Sequence, residues 1–328
     1  MSDAAHVALR AMVDGYRAAQ IVAVAAELGL PDLVKSGLRD CQELAERTGA
    51  NPGALQRLLR ALCALGVFDP VPPHGVALNE TSRCLLTDAP HSLNPWARLV
   101  LDQFYGSWGA LREAVMSGGT GFEKVHGADA WSHRGHNARS GRLFNHAMAS
   151  GASELCDAVA NAYDFSAVPT LVDVGGGDGT LARALLRHYA MLNAIVVDAG
   201  EPGPVPADLA GRLSVVRGDF LAGVPPGARC YVLSRVLHDW DDVRAVCILQ
   251  NVARAMDGSG VALIVERIMP DDAPPLEFVI SDINMMVMNG GRERTQREFA
   301  QLLGNAGLHL ERTLRTASPL SILEARRR

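Results

Sequence analysis

Residues 171 to 179, Leu-Val-Asp-Val-Gly-Gly-Gly-Asp-Gly, set a short β-branched strand before a glycine loop, and Thr180 to Leu186 continue as a helix. Glycine admits positive φ and lets a ligand approach the backbone without a Cβ in the way. A loop between a strand and a helix N-terminus is the usual cofactor position of a doubly wound sheet. This loop departs from the dinucleotide fingerprint. Gly175 and Gly177 begin one, but its third glycine position falls at Thr180 and an extra glycine stands at Gly179. Asp173, inside the strand end, would repel a pyrophosphate and suit a ligand bearing an ammonium group. The pattern favours S-adenosylmethionine over a nicotinamide dinucleotide. Asp198 lies 25 residues beyond Asp173, a spacing suited to gripping both ribose hydroxyls with one carboxylate. Asp219 and Phe220 offer an acceptor and a ring, both suited to adenine. His238, within Ser234-Arg235-Val236-Leu237-His238-Asp239-Trp240-Asp241-Asp242, falls on the same expected edge, where an imidazole can take a proton beside the cofactor.

Those positions depend on a series of strands. Candidates are Leu171–Val174, Ala194–Val197, Leu213–Val216, Cys230–Leu233 and Val261–Val265, alternating with helical patterns, followed by Leu308–Thr313 and an antiparallel edge strand at Leu320–Ala325. Asp173 ends the first, Asp198 the second, and Asp219 follows the third. Parallel strands carry their carboxyl ends to one side, so all three acids project to one edge. Upstream the chain reads as helical with one small β element. Asp40 with Glu43 forms a capping box, Asn51-Pro52 opens a helix, and Leu55, Leu58, Leu59, Leu62 and Leu65 form its apolar stripe. Val67-Phe68 and Gly75 to Leu78 make two strands of a wing. The expectation is an α/β fold: a Rossmann-like doubly wound sheet behind an N-terminal, otherwise all-helical, winged-helix region. Its divisions are 1–100 for the winged helix, 101–165 for a helical connector, and 166–328 for the cofactor-binding domain.

Composition narrows the classes. The chain has 328 residues, is 48% hydrophobic and carries a net charge of −5, with no basic block before Arg326-Arg327-Arg328. A nucleic-acid footprint is not expected, because the second helix of the winged unit reaches out only with Gln56, Arg57 and Arg60. An interaction or dimerisation module fits that unit better. No signal-like start and no run of about 18 apolar residues appear, so a cytoplasmic protein without membrane contact is expected. The six cysteines contain no Cys-x-x-Cys pair and read as reduced, small apolar residues. His133 and His136 lack two further ligands at supporting spacing, and no metal is expected.

Four segments occur in a familiar order: the glycine loop, Gly218-Asp219-Phe220-Leu221, Leu237-His238-Asp239-Trp240-Asp241-Asp242, and Gly290-Gly291-Arg292-Glu293-Arg294-Thr295. In these the chain resembles the S-adenosylmethionine-dependent small-molecule O-methyltransferases of the plant caffeic-acid and bacterial antibiotic-tailoring type. The resemblance runs over nearly the whole chain. It implies that His238 is the general base, that Glu266 and Glu293 are the carboxylates flanking it, and that Asp239 stands beside the substrate hydroxyl. It implies cofactor contacts at Gly175, Asp198, Asp219 and Phe220, and an acceptor pocket lined by Asn145, Met148, Met285 and Asn289. It also implies a homodimer formed by the N-terminal region. Asp173, Gly177, Ser234 and Arg235 complete the expected cofactor site. Two departures stand out. Ser234 occupies a position that is often lysine in the plant enzymes, and residues 199–204 form a short loop where the family commonly shows Leu-Pro and a helix.

The chemistry agrees with these residue types. A phenol of pKa about 10 facing an imidazole of about 6.5 is mismatched by roughly 5 kcal/mol, and nearby carboxylates narrow the gap by favouring imidazolium. Two other readings remain open. One is a relative that keeps the cofactor for N-methylation, decarboxylation or rearrangement; the other is a winged-helix regulator that senses S-adenosylmethionine. Of the methionine-rich stretch 285–288, Met285 is assigned to the pocket and Met286 or Met288 to the core.

Overall fold

The alternating pattern beyond Thr170 folds into a seven-stranded sheet in the order β5-β4-β3-β6-β7-β9-β8. Its strands are β3 (Thr170–Val174), β4 (Asn193–Asp198), β5 (Leu213–Arg217), β6 (Cys230–Ser234), β7 (Val261–Glu266), β8 (Leu308–Arg315) and β9 (Ser321–Arg327). β1 (Phe68–Val71) and β2 (Gly75–Leu78) form a separate antiparallel hairpin. The computed structural model describes residues 3–200 and 203–328. It divides into two units, Met1–Tyr105 with Arg142–Ser150, and Gly106–Gly141 with Gly151–Arg328.

In the second unit β3 pairs in parallel with β4 on one side and β6 on the other, so the strand order reverses there. A crevice opens beyond the carboxyl ends of strands at such a reversal. β7 is buried along its whole length, as its Val-Ala-Leu-Ile-Val run requires of a central strand covered on both faces. The helix Thr180–His188 turns Leu181, Ala182, Leu185 and Leu186 onto the sheet, and Gly179 supplies its entry at φ 81°.

The terminal strand is antiparallel, as expected, but it is not an edge. β9 lies between β7 and β8 and pairs antiparallel with both. Ile322, Leu323 and Ala325 are fully buried, which only an interior strand achieves. β8 takes the edge, with Glu311, Arg312 and Arg315 exposed. The one acid inside β9, Glu324, is buried and satisfied by Arg312 Nε and Arg326 Nη2, both at 2.8 Å.

In the first unit, helices Cys41–Thr48 and Pro52–Ala64 precede the β1–β2 wing. Asn51 Oδ1 caps the second of them through the Ala54 amide at 3.0 Å. Asp40 caps the first through the Gln42 amide at 2.8 Å, but among the described residues no reciprocal bond from Glu43 completes a box. The leucine stripe is buried at Leu55, Leu59 and Leu62, while Leu65 is exposed past the helix end. Each buried leucine contributes about 2 kcal/mol, enough to hold the small helical core together with Leu30, Leu44, Phe68 and Val76. Among the described residues no helix is long and apolar enough to cross a membrane.

Candidate active site

The glycine loop closes over a buried acid. Gly175 has φ 68° and donates its N–H to Val197 O at 2.8 Å. A Cβ on Gly175 would meet Val236 Cγ2 at 2.9 Å and Phe220 Cε1 at 3.4 Å, and one on Gly176 would meet the Asp173 carboxyl at 2.6 Å. Asp173 is 1% exposed, and its Oδ2 has no hydrogen-bond partner. Burial, opposed by the Ala182 amide and reinforced by Asp198 and Asp178, pushes its pKa up to about 7. A buried, under-satisfied acid beneath a glycine cradle fits a ligand that carries positive charge. Asp198 links the first two strand ends: its Oδ2 accepts from the Gly177 amide at 2.9 Å and its Oδ1 from Gly200 at 2.8 Å. Of the loop expected at 199–204, Glu201 and Pro202 lie outside the described residues. Asp219 is exposed and its Oδ1 accepts from the Leu221 amide at 2.9 Å. Phe220 meets Trp240 edge-on at 6.0 Å between ring centres.

Glu266 ends β7 and organises the turn that carries the histidine. Its Oε1 accepts from three successive amides, Val236 at 3.0 Å, Leu237 at 2.9 Å and His238 at 3.3 Å. The turn needs this anchor, because Arg235 has φ 55°, a conformation that costs a non-glycine residue about 1 kcal/mol. Ser234, at the end of β6, and Arg235, whose amide binds Val265 O at 2.9 Å, lead the chain from the strand into that turn. His238 is 8% exposed. Its Nδ1 stands 3.6 Å from Glu266 Oε2 and 3.3 Å from Glu293 Oε1, while Nε2 lies 3.7 Å from Asp239 Oδ1. Two carboxylates at Nδ1 assign the proton to that nitrogen and leave Nε2 as the basic atom. Burial alone would lower the imidazole pKa, but Glu266, Asp239 and Glu293 outweigh it and push it up to about 9. Glu266 and Asp239 are themselves raised by burial. Asn289 Nδ2 donates to Asp239 Oδ1 at 2.5 Å, and Asn289 Oδ1 is buried without a partner.

His238, Asp239, Glu266, Glu293 and Asn289 are thus brought together, and Met285 is buried on the helix Leu276–Met288 that also carries Asn289 at its end. Met288 lies in the interior and Met286 is half-buried. Asn145 and Met148 lie on the helix Ala138–Ala149, in its part that belongs to the first unit. His133 packs against Phe122 and His126, and His136 Nδ1 contacts Ser132 O at 2.7 Å.

Ligand-type atoms of His238, Glu266 and Glu293 lie within 4.8 Å of one another, close enough for a divalent cation. Glu266 Oε1 is committed to three amides, Glu266 Oε2 and Glu293 Oε2 are buried without a hydrogen-bond partner, and the cation beside the group is Arg267, whose Nη1 lies 3.9 Å from Glu293 Oε1.

Two positioning residues receive no role from the sequence, although Arg294 stands within the Gly290 to Thr295 segment. Arg294 is fully buried and staples the histidine turn by donating to Leu237 O at 2.8 Å, Trp240 O at 2.7 Å and Asp242 Oδ1 at 2.8 Å. Asn251 donates to Phe220 O and Leu221 O, each at 2.8 Å, and so holds the expected adenine loop. Only its place on the buried stripe of the helix Asp242–Ala255 distinguishes Asn251 from a surface asparagine.

Two family models match the chain: an O-methyltransferase domain over residues 108–309 and an O-methyltransferase dimerisation domain over residues 11–88. The chain is 37% identical over 321 residues to a phenazine O-methyltransferase of Lysobacter antibioticus, covering 96% of this chain and 94% of that one. It is 33% identical over 308 residues to a phenazine-1-carboxylate N-methyltransferase of Pseudomonas aeruginosa, covering 92% and 91%. Among solved structures, an O-methyltransferase from neocarzinostatin biosynthesis superposes with a TM-score of 0.85 at 31% identity, covering 95% of this chain and 96% of that one. That structure holds S-adenosyl-L-homocysteine and 1,4-dihydroxy-2-naphthoic acid.

Proposed function

The chain belongs to the family of S-adenosylmethionine-dependent O-methyltransferases, and on that premise we propose that it methylates a phenolic or enolic hydroxyl of a small secondary metabolite, with His238 as the general base. The observation that carries this reading is the imidazole held at Nδ1 by two buried carboxylates, with Nε2 left to receive a proton. When bound, S-adenosylmethionine supplies an electrophilic methyl carbon on a sulfonium. Gly175, Gly177, Asp198, Asp219, Phe220, Ser234 and Arg235 are assigned to hold it, and Asp173 to balance its charge from below the loop. Positioning the acceptor oxygen behind that carbon supplies roughly 7–11 kcal/mol. His238 Nε2 takes the hydroxyl proton. A base at about 9 leaves about one pH unit, roughly 1.4 kcal/mol, to a phenol near 10, in place of the 5 expected of an ordinary imidazole. Asp239, Asn289 and Met285 are assigned to the acceptor.

N-methylation is the second reading, favoured by the likeness to the phenazine-1-carboxylate enzyme. Mass spectrometry decides between them: incubate the protein with methyl-labelled S-adenosylmethionine and matched pairs of aromatic phenols and amines. The phenols are expected to gain one labelled methyl on oxygen. Turnover confined to the amines would sink the O-methylation reading.

The N-terminal region is assigned to homodimer formation. The helix Asp3–Asp14 exposes Val7, Leu9, Met12 and Val13, each more than 60% accessible in the single chain, and residues 11–88 match the dimerisation model. Light scattering at micromolar concentration is expected to return twice the chain mass; a monomer there contradicts this assignment.

A further inference from the structure

We propose that Ser281 and Arg267 act as a brake on the base: by holding Glu293 Oε1 to themselves, they limit how tightly that carboxylate retains the imidazole proton. The inference rests on the reading of His238 as the base. Ser281 Oγ donates to Glu293 Oε1 at 2.7 Å, and the same oxygen faces His238 Nδ1 at 3.3 Å. Arg267 Nη1 donates to Ser281 Oγ at 3.4 Å and stands 3.9 Å from Glu293 Oε1. The short bond belongs to the hydroxyl and the long one to the imidazole.

Donors that share one carboxylate oxygen compete for it, and an arginine donating to the hydroxyl polarises that hydroxyl further. Electron density held on the Ser281 side is withdrawn from the imidazole side. The other groups facing His238 are Glu266 Oε2 at 3.6 Å and Asp239 Oδ1 at 3.7 Å, with Arg134 acting on Asp239. The Glu293 amide is fixed separately by Asp282 Oδ1 at 2.9 Å, which leaves Ser281 to set where the carboxylate points. Glu293 differs from the other two acids accordingly. Burial raises all three, but in Glu293 it is outweighed by His238, Ser281 and Arg267, and the carboxyl is held below its ordinary range. Without the brake, Glu293 closes on Nδ1, the imidazolium is held more firmly, and less neutral base remains near pH 7.

The test reads the imidazole directly and needs no acceptor. Histidine side-chain NMR titration of the full chain with S-adenosylhomocysteine bound gives the His238 midpoint, assigned by the signal missing from His238→Gln. Ser281→Ala deletes only the hydroxyl, and Arg267→Gln removes a charge from a partly exposed site. Both are expected to raise the midpoint by about 0.5 to 1 pH unit, and Ser281→Thr, which keeps the hydroxyl, to restore it. Midpoints unchanged or lowered in Ser281→Ala and Arg267→Gln overturn the proposal. Failure of the base assignment shows separately, as full turnover in His238→Ala, and overturns both.

Discussion

His238→Ala is expected to lower kcat/KM for the true acceptor by about 10²–10⁴ while S-adenosylmethionine still binds. The loss is expected to be large because the two buried glutamates engage Nδ1 and leave Nε2, with Asp239 Oδ1 3.7 Å away, to take the proton. Binding is expected to survive because the residues proposed to hold the cofactor are others, above all Asp173, Asp198 and the glycine loop. The wild-type profile carries a further signature. Below a base pKa of about 9 the neutral imidazole falls tenfold per pH unit, so kcat/KM rises with unit slope from neutrality and levels near pH 9. The alanine variant loses this limb. Kinetics from pH 6 to 10 together with calorimetric titration of the cofactor check both parts, and a variant with wild-type rates and slope removes His238 from the mechanism.

Gly291→Ala is expected to be nearly as damaging. A Cβ there would lie 2.0 Å from His238 O, 2.5 Å from Asp239 C and 2.8 Å from Trp240 N. All three are backbone atoms, so no flexible side chain can yield. The turn carrying His238 would have to move, breaking the bond from the Arg292 amide to His238 O at 2.9 Å and straining the turn against its Arg294 staple. Expected results are a stability loss of about 3 kcal/mol or more and at least a hundredfold fall in kcat/KM. Gly290→Ala is the contrast. Its φ of 73° costs about 1 kcal/mol, but its Cβ would meet only Thr120 Cγ2, at 3.4 Å. Denaturant melts and kinetics of the two variants distinguish a backbone collision from simple loss of glycine freedom; equal, mild effects would refute the collision.

Both effects turn on a region that was unequally legible beforehand. His238 could be placed from its distance past the fourth strand, because a parallel sheet sends every strand's carboxyl end to the same side. The strand acids follow from the same rule, and the bond from the Gly177 amide to Asp198 ties the end of β4 to the glycine loop that follows β3. Glu266 and Glu293 were identified through family resemblance, since nothing local marks an acid that will face a histidine 28 or 55 residues away. The roles of Arg294, Asn251 and Ser281 are unmarked for the same reason. Each is a polar side chain whose partner is supplied by another element.

Local pattern also misjudged the end of the chain. The run Leu320 to Ala325 reads correctly as a strand, yet its sequence does not state which neighbours will cover it. Its interior position follows from pairing with β7, more than fifty residues upstream.

The sequence by itself determined the succession of strands and helices, the glycine loop and the sheet edge on which the strand acids and His238 stand. These depend on short-range periodicity and on the handedness of parallel crossovers. Tertiary structure alone decided which acids surround the imidazole, which hydroxyl and guanidinium lie against Glu293, and how far the proton affinity of His238 is raised. Those are properties of burial and of distances between remote segments: a carboxylate in water and one enclosed beside a histidine are the same letter with different proton affinities.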